Sequence, residues 1–121
     1  MTTEEEWQAQ LTSLAETLGY TWVHIRAART LHGWRVPVSG PLGSGWPDLA
    51  LVNLRQRRVV FVELKSEAGK LHADQLAVGE HLRAAGQEWY CWRPGDLESA
   101  AAVLQGGAAM TPQAAALREG R

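Results

Sequence analysis

Cysteine is nearly missing from this chain: Cys91 is the single one in 121 residues. No internal disulfide can form, so the chain is not a disulfide-stapled scaffold, and a buried thiol in a reducing cytoplasm is expected. No apolar run approaches membrane-spanning length, and the N-terminus is acidic where a secretory signal opens basic and then apolar. Neither a transmembrane helix nor a secretory signal is expected, and no membrane contact. The four histidines are scattered without zinc-ligand spacing. Cys91 lies in an apolar segment with no histidine nearby in sequence, which is poor material for nucleophilic catalysis. No internal repeat is present. Charge of either sign is also short of an excess, with 12 basic and 13 acidic residues and a formal net charge of −1. That balance counts mildly against nucleic acid, whose binders usually carry a basic surplus. The distribution softens the objection. The acids crowd Glu4 to Glu6, while Arg26, Arg29, Arg35, Arg55, Arg57 and Arg58 gather in two connecting segments. A local basic track serves where the whole chain is neutral, and these six are the candidate nucleic-acid contacts.

What is abundant is tryptophan, six in so short a chain, which suggests a partner surface or a second subunit. The length suits one domain, expected over residues 1–105, followed by an Ala-rich tail over 106–121.

The informative stretch runs from Gly45 to Lys65. Gly-Trp-Pro-Asp-Leu-Ala-Leu-Val leads through a short basic break into Val-Val-Phe-Val-Glu-Leu-Lys. This reads as two apolar strands joined by a tight connection. Val59 to Leu64 is apolar on both alternating faces until Glu63, as in a central strand covered on both sides. Side chains two apart on a strand point the same way, so Glu63 and Lys65 share a face. Packing gives no reason to end such a strand on a carboxylate and an ammonium, and buried charges need partners or a metal. Asp48 at the mouth of one strand, with Glu63 and Lys65 at the end of its neighbour, forms an oxygen-rich site beside a cation. Metal-dependent phosphodiester hydrolysis requires that combination.

Pro47-Asp48 followed by Glu63-Leu64-Lys65 resembles the PD-(D/E)xK nuclease signature. The continuation Gly69-Lys70-Leu71, with Gln75 on the helix behind it, is similar to the VRR-NUC branch, as is Trp92-Arg93-Pro94-Gly95-Asp96-Leu97 to its small, single-domain phage-type members. The resemblance implies a restriction-endonuclease-like α/β core, a mixed four-stranded sheet flanked by helices. It also implies a Mg²⁺- or Mn²⁺-dependent endonuclease leaving a 5′-phosphate, working in a bacterial or phage-infected cell. Asp48, Glu63 and the backbone carbonyl of Leu64 would hold the metal, Lys65 would assist the attacking water, and Gln75 would hydrogen-bond Lys65 or a phosphate.

The remaining segments fit that order of elements. Thr3 is a plausible N-cap with Glu6 at the capping-box position, and Trp7, Leu11, Leu14, Ala15 and Leu18 recur at helical spacing up to Gly19. The acids of the first turn suit the helix dipole. One of them reaches the metal in many related nucleases. Helix geometry favours Glu4, while the register of the resemblance leaves Glu6 open. Tyr20 to Ile25 reads as a strand, and Arg26 to Trp46 as a long loop whose length suggests function. In that loop Arg26, Arg29, His32 and Arg35 suit phosphate, Trp34 suits stacking or a dimer seam, and Gly43-Ser44-Gly45 suggests backbone freedom before Asp48. His72 to Ala85 reads as a helix, Glu88 to Trp92 as a strand, and Asp96 to Leu104 as a final short helix. The expected function is a structure-selective endonuclease acting on branched DNA such as four-way junctions, as a homodimer whose two-fold symmetry matches the substrate. The alternative is a non-catalytic nucleic-acid-binding or assembly module; the intact Asp48, Glu63 and Lys65 argue against it.

Overall fold

The computed structural model describes residues 2–25, 28–31, 33–35 and 38–106, and over 28–30, 34 and 35 the backbone alone. Helix α1 (Glu4–Thr17) begins with the expected capping box: Glu6 N donates to Thr3 Oγ1 and Thr3 N to Glu6 Oε1, each at 3.0 Å. Its apolar stripe buries Trp7, Leu11 and Ala15, and Gly19, at φ 92°, turns the chain into the sheet. The strands are β1 (Thr21–His24), β4 (Leu49–Asn53), β5 (Arg58–Leu64) and β6 (Glu88–Trp92), in spatial order β1-β4-β5-β6. The first three pair antiparallel and β6 pairs parallel with β5, giving the expected mixed four-stranded sheet. The parallel pair needs a crossover, supplied by helix α2 (Ala73–Ala84). Helix α3 (Leu97–Leu104) follows a 3₁₀ turn over Pro94–Asp96. Among the described residues, no helix is long and apolar enough to cross a membrane.

Alternation along the strands splits the core. On one face Leu49, Leu51, Val60, Val62, Leu64, Tyr90 and Trp92 pack with α1 and α3. On the other, Phe61, Trp89 and Cys91 pack with Val78 and Leu82 of α2, and Cys91 is buried as expected. Three of the six tryptophans, Trp7, Trp89 and Trp92, are therefore core residues and cover no partner. Trp7 also ties α1 to the sheet, its Nε1 donating to the Trp92 carbonyl at 3.0 Å.

The segment read as one long loop is more ordered than its composition suggests. It carries a small hairpin, β2 (Ala28–Thr30) with β3 (Gly33–Arg35), and a 3₁₀ turn over Gly43–Gly45. Strands of three residues are too short to show a period. The glycines of the 3₁₀ turn serve another purpose than backbone freedom, since neither has positive φ. Gly45 lies where any Cβ would strike the Asp74 carbonyl in the first turn of α2. It permits a close approach that seats the helix against the strand leading to Asp48.

Candidate active site

Register brings the two carboxylates together. Leu49 pairs with Val62 in the β4–β5 ladder, so one step further Asp48 faces Glu63, on the side of the sheet that carries Phe61 and Cys91. Asp48 is fixed at both ends: its carbonyl accepts from Ile25 N at 2.8 Å, and Oδ2 accepts from Leu64 N at 2.9 Å. Glu63 is 2% exposed and Lys65 9%, so both are withdrawn from bulk water. Lys65 Nζ lies 3.8 Å from Glu63 Oε2. Gln75 Nε2 donates to the same oxygen at 3.0 Å, so its partner is Glu63 rather than Lys65. Glu63 Oε1 is buried with no hydrogen-bond partner in the chain. A cleft of about 300 Å³ opens beside the pair, lined by Glu4, Glu5, Gln8, His24, Asp48 and Leu64.

Electrostatics follow from this crowding. Burial is the largest influence on Glu63 and the negative charge of Asp48 the second; together they push its carboxyl up to about 9 against the pull of Lys65. Without a cation, the Asp48–Glu63 pair therefore keeps a proton to higher pH than ordinary carboxylates do. A cation beside the two carboxylates would favour the ionised form, in which no donor in the chain reaches Oε1. The donors are hard oxygens. Among the described residues no three His, Cys, Asp or Glu side chains converge on one point, so the facing carboxylates of Asp48 and Glu63 are the side-chain oxygens a cation would meet here. Mg²⁺ and Mn²⁺ suit such a set, because they keep several waters and share phosphate oxygens with their substrate. The site fits a divalent cation.

The other sequence candidates disperse. Glu4 lines the cleft and is exposed, whereas Glu6 is engaged in the α1 cap, which also lowers its pKa. Arg58 is turned inward. Its guanidinium donates twice to Glu88, at 2.6 Å each, and to the Val103 carbonyl at 2.6 Å. Arg55 and Arg57 are exposed at the β4–β5 turn, but that turn is at the far end of the sheet. Five residues of strand put about 17 Å between it and Asp48. Arg26, His32 and the tail beyond 106 lie outside the described residues, as do the side chains of Arg29, Trp34 and Arg35. Two further residues had no site role assigned from the sequence. His24 ends β1 at the cleft, and Arg93 Nη2 donates to the Gly69 carbonyl at 2.7 Å, bracing the loop between Lys65 and α2. Cys91 pairs with Glu63 across the β5–β6 ladder, and burial pushes its thiol up, away from nucleophilic use.

An oxygen-rich cleft at one end of a mixed sheet, with a lysine beside its carboxylates, defines a nuclease-type α/β domain. Residues 34–93 match the family model of the VRR-NUC domain. Residues 34–93 therefore carry a VRR-NUC domain, a nuclease-type domain, and such a domain implies DNA as its substrate class. No curated protein and no solved structure matches the chain.

Proposed function

We propose that this chain is a divalent-metal-dependent DNA endonuclease, selective for branched DNA, that works as a homodimer. The observation that carries the catalytic reading is Glu63, buried opposite Asp48 with an unpartnered oxygen and an ammonium 3.8 Å from its other one. A carboxylate is costly to bury in that way unless a cation joins it. Asp48, Glu63 and the Leu64 carbonyl would hold Mg²⁺ or Mn²⁺, which when bound polarises a phosphate oxygen and acidifies a coordinated water. Leu64 N holds one oxygen of Asp48 and leaves the other for this task. Gln75 orients Glu63. Lys65, on the face shared with Glu63, offsets charge growing on the phosphorane and helps place the attacking water. Glu4 completes the cleft as an outer acceptor of water.

Branch selectivity and dimerisation rest on family likeness and on symmetry. A two-fold dimer presents two sites to a two-fold junction. The test is cleavage of one labelled set of four-way junction, fork, flap and duplex, with Mg²⁺, with Mn²⁺ and with chelator. Metal-dependent cutting of the junction in preference to duplex is the expected result. Cutting that survives Asp48→Ala or Glu63→Ala would remove the proposed site. Equal cutting of every shape would remove the selectivity.

A further inference from the structure

From the distribution of its cations and the bracing of one loop, we infer that Lys70 anchors the DNA strand at the active site by contacting a phosphate beside the scissile one. The inference rests on the nuclease reading above and concerns how that site holds its substrate.

Seven of the chain's lysine and arginine side chains are described, and most are committed. Arg58 is spent on Glu88, Arg83 lies over the Trp89 ring with 5.0 Å from Cζ to the centroid, and Arg93 bonds the Gly69 carbonyl. Lys65 is buried against Glu63. Arg55 and Arg57 stand at the opposite end of the sheet. Among the described residues, that leaves Lys70 as the exposed cation at the catalytic end, and it makes no hydrogen bond or ion pair.

Its loop is built to hold it there. The residue at the start of the loop, Lys65, and Gln75 in the first turn beyond it both touch the Glu63 carboxylate. The segment therefore closes over one side of the carboxylate pair. Two contacts from the β6–α3 turn brace it: Arg93 Nη2 to the Gly69 carbonyl, and Gly95 N to the Glu67 carboxylate. A third, Gly69 N to the Ser66 carbonyl at 3.1 Å, makes the turn itself. Lys70 follows directly on the residue that Arg93 pins. A braced loop that carries an exposed ammonium just past its turn suits a point-charge phosphate contact, which fixes register and reads no base.

The experiment uses the full chain, fluorescent branched DNA and Ca²⁺ for binding, with Mg²⁺ or Mn²⁺ for turnover. Lys70→Ala should raise Kd roughly fivefold at moderate salt and flatten the log Kd–log salt slope by about one. Turnover at saturating DNA should stay within about twofold of wild type. Lys70→Arg should restore both Kd and slope, and the thermal midpoint should not move, since the side chain is exposed and makes no hydrogen bond or ion pair. Wild-type Kd and slope in Lys70→Ala overturn the anchor while leaving a cleaving wild type in place. A collapse of turnover with unchanged Kd also overturns it, because Lys70 would then act on the chemistry. A wild-type chain that neither binds nor cuts DNA brings down the nuclease reading and the anchor together.

Discussion

Gln75 donates through Nε2 to Glu63 Oε2 at 3.0 Å, while its Oε1 accepts from His72 N at 2.9 Å. Both ends of one amide are used, and the backbone bond decides which way it faces, so the NH₂ group can only point at the carboxylate. The first turn of α2 thus aims a neutral donor at the most buried acid in the site. Gln75→Ala should lower kcat roughly tenfold or more with little change in KM, the size expected for losing a hydrogen bond to a charged group. Gln75→Glu should cost more, since it sets a third carboxylate against Glu63 and Asp48. A Gln75→Ala enzyme with wild-type kcat would make the contact a helix cap and nothing else.

Glu63 makes the stability of the metal-free chain depend on pH. Its folded pKa, about 9, lies above the ordinary value of 4.5, so the folded state binds the proton more tightly than the unfolded one. That contribution is fully present below pH 4.5 and is lost as pH rises through about 9. In chelator, the thermal midpoint should fall as the buffer moves from pH 6 to pH 9, and Glu63→Gln should flatten that fall. Mg²⁺ or Mn²⁺ should restore the midpoint at high pH and release protons on binding, measurable by calorimetry in two buffers. A midpoint that rises with pH over this window would contradict the buried, proton-holding carboxyl.

Lys65 is buried with its ammonium directed at Glu63, and its removal separates chemistry from binding. Lys65→Ala should retain DNA affinity and divalent binding yet lose roughly a hundredfold or more in turnover, as loss of a transition-state charge partner does. Titration of Mn²⁺ alongside single-turnover cleavage distinguishes this from a ligand defect. A large loss of metal affinity with little change in turnover would make Lys65 a neighbour that holds Glu63 in place.

Arg58 is the clearest case of a residue whose surroundings reassign it. Its bonds to Glu88 and to the Val103 carbonyl join β5, β6 and the last turn of α3, and Tyr20 and Gln56 add hydrogen bonds to the same cluster. Arg58→Ala removes the ion pair of a half-buried Glu88, although the Tyr90 hydroxyl still donates to that carboxylate, and should cost about 2–4 kcal/mol in urea unfolding. DNA affinity of the folded fraction should change little. Weakened DNA binding without lost stability would return Arg58 to the surface role that its sequence neighbours Arg55 and Arg57 suggest.

Legibility in the sequence followed the range of the interactions. Helix α1 was readable because its cap and apolar stripe are local, and β4 and β5 because their apolar alternation is bounded by a short turn. Once those strands are paired, register alone sets Asp48 against Glu63 and puts Lys65 on the same face. Interactions between distant segments left no local signature. Arg58 and Glu88 are 30 residues apart and meet only through a parallel crossover. The β2–β3 hairpin is too brief for periodicity, and a run of arginines looks the same whether its members face solvent or fold inward. Gly45 illustrates the same limit, since a glycine before a strand reads as a hinge until the helix that abuts it is in place.

That abutment yields the last prediction. A Cβ on Gly45 would collide with the Asp74 carbonyl and come within 2.9 Å of Val78 Cγ2, both on α2. Neither can yield without moving the helix, and Gln75 is the residue after Asp74. Gly45→Ala should therefore cost about 1–3 kcal/mol of stability, as overpacking does. It should also lower kcat in the folded enzyme by pulling Gln75 away from Glu63. Gly43→Ala is the control: its nearest contact is Val38 Cγ2 at 3.4 Å, an ordinary van der Waals distance, so stability and kcat should hold. The two variants are compared by urea unfolding and by saturating turnover well below the thermal midpoint. If Gly45→Ala loses stability but keeps full kcat, the seating of α2 is a packing matter and the link from Gly45 through Gln75 to Glu63 does not transmit to catalysis.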